Sequence, residues 1–120
     1  MALKNILIAD DDEDFHEALE AALSRRGFAV WHAHNGRQAL ARLAAGPLPH
    51  AILIDLMMPD IDGWQLLEAL AREPALAAIP AAVMSASPKP AGLPAGMPHL
   101  AKPCDLRELL ELLEGLCAKA

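Results

Sequence analysis

Residues 51–63 read Ala51-Ile52-Leu53-Ile54-Asp55-Leu56-Met57-Met58-Pro59-Asp60-Ile61-Asp62-Gly63. Four apolar residues run without alternation and stop at a carboxylate. A segment with no polar face is buried on both sides, which predicts a strand inside a parallel sheet with Asp55 at its carboxyl end. A loop then leads to Gly63, and Leu66, Leu67 and Leu70 recur at helical spacing behind it.

The same alternation extends in both directions. Upstream, Ile6 to Ala9 is a short apolar run that ends in Asp10 and Asp11. Phe15, Ala18, Leu19, Ala22 and Leu23 then follow helical spacing up to Gly27. Phe28 to Trp31 reads as a second strand, and Asn35-Gly36 opens a helix that Gly46-Pro47 closes. Downstream, Pro80 to Met84 reads as a fourth strand and Leu100-Ala101 as a fifth. In the last helix Asp105 and Glu108 have capping-box spacing, and Leu106, Leu109, Leu110, Leu113 and Leu116 form its apolar stripe. Alternating strand and helix predicts an α/β fold, with a doubly wound five-stranded parallel sheet covered on both faces. With no repeat and no flexible linker, residues 1–120 are expected to form a single domain.

Composition narrows the function. Ten Lys and Arg against sixteen Asp and Glu give a formal net charge of −6, which disfavours nucleic acid or an anionic membrane as partner. Residues 1–14 carry five acids and one base, so −4 of that charge is local. At 54 % hydrophobic residues the chain can build a core. No apolar run reaches the ~18 residues that a span requires, and a cytoplasmic location is expected. Cys104 and Cys117 lack metal-ligand spacing and read as small buried thiols. His32 and His34 alternate at a strand end; with no third ligand apparent, they read as exposed histidines rather than a metal pair. Trp31 and Trp64 read as packing residues.

The carboxyl ends of parallel strands lie on one edge, where such folds place their ligands. Asp10 and Asp11, Asp55, Ser85 and Lys102 each stand at such an end. Taken singly, Asp10 to Asp12 also suit a helix N-terminus, and Asp12, Glu13 and Asp14 are expected to do only that. Together the three carboxylates repel unless a cation is supplied. Oxygen ligands suit a hard divalent ion, Mg2+ first. The lysine and the hydroxyl beside them leave room for a phosphoryl group.

Ile6-Leu7-Ile8-Ala9-Asp10-Asp11, Ile52 through Pro59, Asp62-Gly63, Val83-Met84-Ser85-Ala86 and Lys102-Pro103 together resemble a response-regulator receiver domain of two-component signalling. The resemblance covers essentially the whole chain. It implies a flavodoxin-like sheet of strand order 2-1-3-4-5. It implies Asp55 as phosphoacceptor, Asp10, Asp11 and Asp55 with the Met57 backbone carbonyl as Mg2+ ligands (Mn2+ or Ca2+ substituting), and Ser85 and Lys102 as holders of the phosphoryl oxygens. The implied donor is a histidine kinase or histidine phosphotransfer protein, and an unidentified downstream protein receives the signal. Such a domain is not an enzyme in the ordinary sense, although it promotes its own phosphorylation and dephosphorylation. Met57, two residues beyond the acceptor, is apolar and unsuited to orienting a hydrolytic water, and Ser87 suits the task only weakly, so a long-lived phosphorylated form is expected.

The departure from the family lies between Ser85 and Lys102. Residues 88–98 hold four prolines and two glycines; at ~3 and ~1 kcal/mol each in a helix interior, they predict a loop over 86–99 where the family has its fourth helix. The family's switch aromatic, three residues before the lysine, is replaced by His99. Two other readings remain: a pseudo-receiver controlled by protein contact, favoured by the altered segment, and a haloacid-dehalogenase-like phosphatase, for which Asp10 and Asp12 have the spacing. Asp55 and Lys102-Pro103 fit the receiver better.

Overall fold

The apolar runs pair as parallel strands, since each is followed by a segment that crosses back over the sheet. The computed structural model describes residues 4–86, 92–102 and 104–118. In chain order these form β1 (Lys4–Ala9), α1 (Glu13–Ser24), β2 (Phe28–Ala33), α2 (Gly36–Ala45), β3 (Ala51–Asp55), α3 (Gly63–Ala71), α4 (Pro74–Ala77), β4 (Ala81–Ser85), β5 (His99–Ala101) and α5 (Leu106–Ala118). The strands lie in the order β2-β1-β3-β4-β5, as the resemblance implied. Ile8 is in register with Leu53, Ile54 with Val83 and Met84 with Leu100.

Strand side chains alternate between two cores. Ile6, Ile8, Leu53 and Met84 pack with Leu19 of α1 and Leu109 of α5. Leu7, Ile52, Ile54 and Val83 pack with Leu43 of α2 and Leu66 of α3. β3 is buried along its whole length, which is why it carries no polar residue before Asp55. Trp31 and Trp64 pack at the edge of the second core, and the Arg42 guanidinium lies 3.7 Å above the Trp31 ring.

Helix starts are fixed by side chains, each contributing about 0.5–2 kcal/mol. Asp12 accepts from the Asp14 and Phe15 amides, Asn35 from Gln38, and Asp62 and Gln65 form a reciprocal box.

Several local expectations need correction. In α1 the buried face is His16, Leu19 and Leu23, whereas Ala18 is exposed; the stripe is set one position away from Ala18. Leu106, in the first turn of α5, is 44 % exposed. Asp105 accepts from the Arg107 amide at 2.7 Å, a local turn bond in place of the expected bond to the third helical residue. The four-residue α4, opened by Pro74, carries too little apolar periodicity to be legible in the sequence.

Between β4 and β5 the described residues, Ala86 and 92–98, contain no helix. The chain turns at Gly92 and Gly96, whose φ angles are 90° and 78°. The expectations for residues 87–91, Ser87 included, lie outside the described residues. Among the described residues no helix is long and apolar enough to cross a membrane.

Candidate functional site

The carboxyl edge gathers the residues that the sequence singled out. Asp10 continues β1, its amide donating to the Ala33 carbonyl at 3.0 Å, so its side chain stands over the sheet edge and is fully buried. Asp55 closes β3 and is 4 % exposed. Asp11 is exposed. Carboxylate oxygens of Asp10, Asp11 and Asp55 all lie within 4.8 Å of one another.

Lys102 enters from the end of β5. Its ammonium donates to Asp10 Oδ2 and to Asp55 Oδ2, each at 3.0 Å. The remaining oxygens are held by backbone: Asp10 Oδ1 accepts from the Asp12 amide at 2.8 Å and Asp55 Oδ1 from the Met57 amide at 3.1 Å. The Met57 side chain is 70 % exposed. Ser85 closes β4 and is buried; its carbonyl accepts from the Lys102 amide at 2.7 Å, and its Oγ lies 3.2 Å from His99 Nε2.

The loop from Leu56 to Asp62 is pinned by two close approaches. A Cβ on Gly63 would stand 2.5 Å from the Asp55 carbonyl oxygen, and one on Gly36 would stand 2.3 Å from that of Ile61. Both amides use this closeness: Gly63 donates to Leu56 and Gly36 to Ile61. Glycine at these helix starts brings α2 and α3 against the loop that carries Met57.

Burial pushes the Asp55 carboxyl above the usual aspartate range; the bonds from Lys102 and the Met57 amide pull the other way, and the Asp10 charge adds to the rise. For Lys102 burial works against the ammonium, but the hydrogen bonds and charges of Asp55 and Asp10 outweigh it and hold the pKa above the ordinary lysine value. One ammonium shared between two carboxylates gains from both and compensates neither fully. Three ionised acids and one ammonium sum to −2, the charge that a divalent cation cancels. An all-oxygen donor set of this kind suits a hard ion such as Mg2+.

Cys117 is buried and Cys104 half-buried, and burial raises both thiol pKa values, consistent with inert packing residues. The histidines differ from expectation. His32 is exposed at its strand end, but it and His34 are not isolated: buried His16 of α1 packs against both rings, at centroid distances of 4.7 and 4.5 Å. The signal for His16 was present in its spacing, three before Leu19 and seven before Leu23, which places it on the buried stripe.

A doubly wound parallel sheet with a cation-accepting acid cluster and a fixed lysine at its carboxyl edge defines a class of α/β domain built to handle an anionic group. Residues 6–114 match the family model described as the response regulator receiver domain. The chain belongs to that family, a signalling domain of two-component systems. It is 36 % identical to the transcriptional regulatory protein GltR of Pseudomonas aeruginosa over 125 residues, covering 98 % of this chain and 50 % of that protein. It is 39 % identical to the response regulator MprA of Mycolicibacterium vanbaalenii, covering 92 % of this chain and 49 % of that one. The chain thus spans about half the length of the curated relatives it matches. Among solved structures, a Francisella response regulator receiver domain superposes with a TM-score of 0.85 at 28 % identity, covering 97 % of this chain and 98 % of that one.

Proposed function

We propose that residues 1–120 act as one receiver domain in which Asp55 takes a phosphoryl group from the phosphohistidine of a histidine kinase or histidine phosphotransfer protein, in a Mg2+-dependent reaction. The observation that carries this reading is Lys102 Nζ at 3.0 Å from both Asp10 Oδ2 and Asp55 Oδ2. It fixes a cation where two elements far apart in sequence present their acids.

Asp10, Asp11 and Asp55, with the Met57 backbone carbonyl, would hold the metal; Mn2+ or Ca2+ would also satisfy an all-oxygen set. When bound, the ion cancels the −2 of the pocket and draws charge from the phosphoryl oxygens. The chain's own residues do the rest. A carboxylate oxygen of Asp55 attacks phosphorus; the O–P bond forms as the P–N bond breaks, and its electron pair returns to the imidazole nitrogen of the partner. Lys102 holds one phosphoryl oxygen by its charge, and the Ser85 hydroxyl donates to another. There is little covalent work for side chains beyond Asp55, so the rate comes from positioning and electrostatics.

Ser85 and His99 then carry the change to β5, and a downstream protein reads it. The net charge of −6 favours protein partners over nucleic acid or membrane, and a cytoplasmic setting accords with a kinase donor.

Incubation with acetyl phosphate or phosphoramidate, with and without Mg2+, followed by intact mass, tests the reading. A phosphoryl adduct that needs Mg2+ and is lost in Asp55→Ala is expected. No adduct under any condition would replace it with the pseudo-receiver reading.

A further inference from the structure

We propose that His16, His32 and His34 form a second metal site, on the α1–β2 face, for a borderline transition ion of the Zn2+ class. The two aspartate-pocket residues nearest in sequence, Asp10 and Asp11, do not supply its ligands.

The acceptors that meet each ring fix the tautomers. His16 Nε2 lies 2.6 Å from the Asp10 carbonyl oxygen, which only accepts, so that nitrogen bears the proton. His32 Nε2 meets the Glu20 carboxylate, again an acceptor, so it too is the protonated nitrogen. Both Nδ1 lone pairs are thereby turned inward, and the two Nδ1 atoms face each other at 2.6 Å. Two facing lone pairs require a cation between them, either an extra proton or a metal ion.

The surroundings match the second option. A metal-bound histidine usually donates its other ring N–H to a backbone carbonyl or a carboxylate, which fixes the tautomer and strengthens the ligand. Both kinds of partner are already in place here. The third imidazole is His34, whose Nε2 lies 2.7 Å from Glu13 Oε2 yet is buried without a directed hydrogen bond. An open cavity of about 370 Å³, lined by Glu13, Glu17 and Glu20 with His16 and His32, gives an ion an acidic approach.

For an ion to sit between the two Nδ1 atoms the pair must open. Tetrahedral Zn–N bonds of about 2.0–2.1 Å set the two nitrogens about 3.3 Å apart, roughly 0.7 Å beyond the present contact. Among the described residues only the aspartate trio already brings three donors within 4.8 Å of one another. Rotation of His34, with water, would therefore complete the tetrahedron. Nitrogen-rich donors select Zn2+, Ni2+ or Cu2+, whereas the all-oxygen aspartate pocket selects Mg2+. The two sites meet at Asp10 through different atoms, its carbonyl and its carboxylate.

The test is calorimetric titration of the full chain with Zn2+ in excess Mg2+, with side-chain imidazole nitrogen spectra recorded alongside. One Zn2+ per chain is expected, with the bound-state shifts on Nδ1 of His16 and His32. His32→Ala should weaken binding by at least about 100-fold, and Glu20→Gln by roughly tenfold. Asp55→Asn should leave Zn2+ affinity unchanged. The proposal is overturned if Zn2+ does not saturate, if His32→Ala binds like the parent chain, or if Asp55→Asn abolishes binding. Should His16→Gln fail to fold, the His32 variant and the nitrogen shifts still decide.

Discussion

Ser85 Oγ lies 3.2 Å from His99 Nε2, a polar link between the last residue of β4 and the first of β5. A serine that turns its hydroxyl toward a phosphoryl oxygen must loosen this contact. In the receiver family an aromatic side chain follows the hydroxyl by packing; here an imidazole is bound to it directly. The expected consequence is an order–disorder response in the chain before β5. Amide exchange over residues 92–101 should fall when a phosphoryl mimic is added, and fall less in His99→Ala. Equal protection with and without the mimic would remove the switch role of His99.

The raised Asp55 pKa makes a stability prediction with a definite sign. Burial is its main cause, so the folded state keeps the Asp55 proton to higher pH than the unfolded chain does. Stability from this group is present below the unfolded value of about 3.9 and is lost as pH rises through the folded value. At neutral pH, without divalent cations, ionised Asp55 therefore costs stability. Asp55→Asn should raise Tm by a few degrees at neutral pH, with the gain shrinking toward acid pH. A lower Tm at neutral pH would contradict this.

Met57 governs a second expectation. Its side chain is 70 % exposed and cannot hydrogen-bond an attacking water. Met57→Asn or Met57→Glu should shorten the life of the acyl phosphate several-fold, measured as loss of label after the donor is removed. Unchanged decay in both variants would show that position 57 does not limit hydrolysis.

Gly63 tests the scaffold. A methyl group there meets the Asp55 carbonyl oxygen and Leu56 Cα, both at 2.5 Å, and neither is a flexible side chain. Overpacking of this kind costs about 1–3 kcal/mol. Gly63→Ala should lower Tm measurably and slow phosphorylation, since the loop that it displaces carries Met57. A wild-type Tm would mean that α3 moves away freely.

Much of the fold and the site is legible in the sequence. The run from Ala51 to Asp55 is buried on both faces, and such continuous apolar runs pair in parallel, so the sheet and the edge that gathers Asp10, Asp55, Ser85 and Lys102 follow from pattern. What escaped depends on tertiary contact. Ala18 and Leu106 have the right residue type but stay exposed among the described residues. His16 has the wrong type and the right spacing; its burial depends on the rings of His32 in β2 and His34 just beyond it packing against it. The short α4 is too brief for periodicity to show.

Asp55 alone is expected to carry the phosphoryl group, with a divalent ion enabling the transfer. Borohydride reduction of the phosphorylated chain converts an aspartyl phosphate to homoserine, and peptide mapping locates the converted residue. Conversion is expected at Asp55, only in samples phosphorylated with Mg2+. Conversion at Asp10, Asp11 or Asp62, or at Asp55 without any divalent ion, would contradict it.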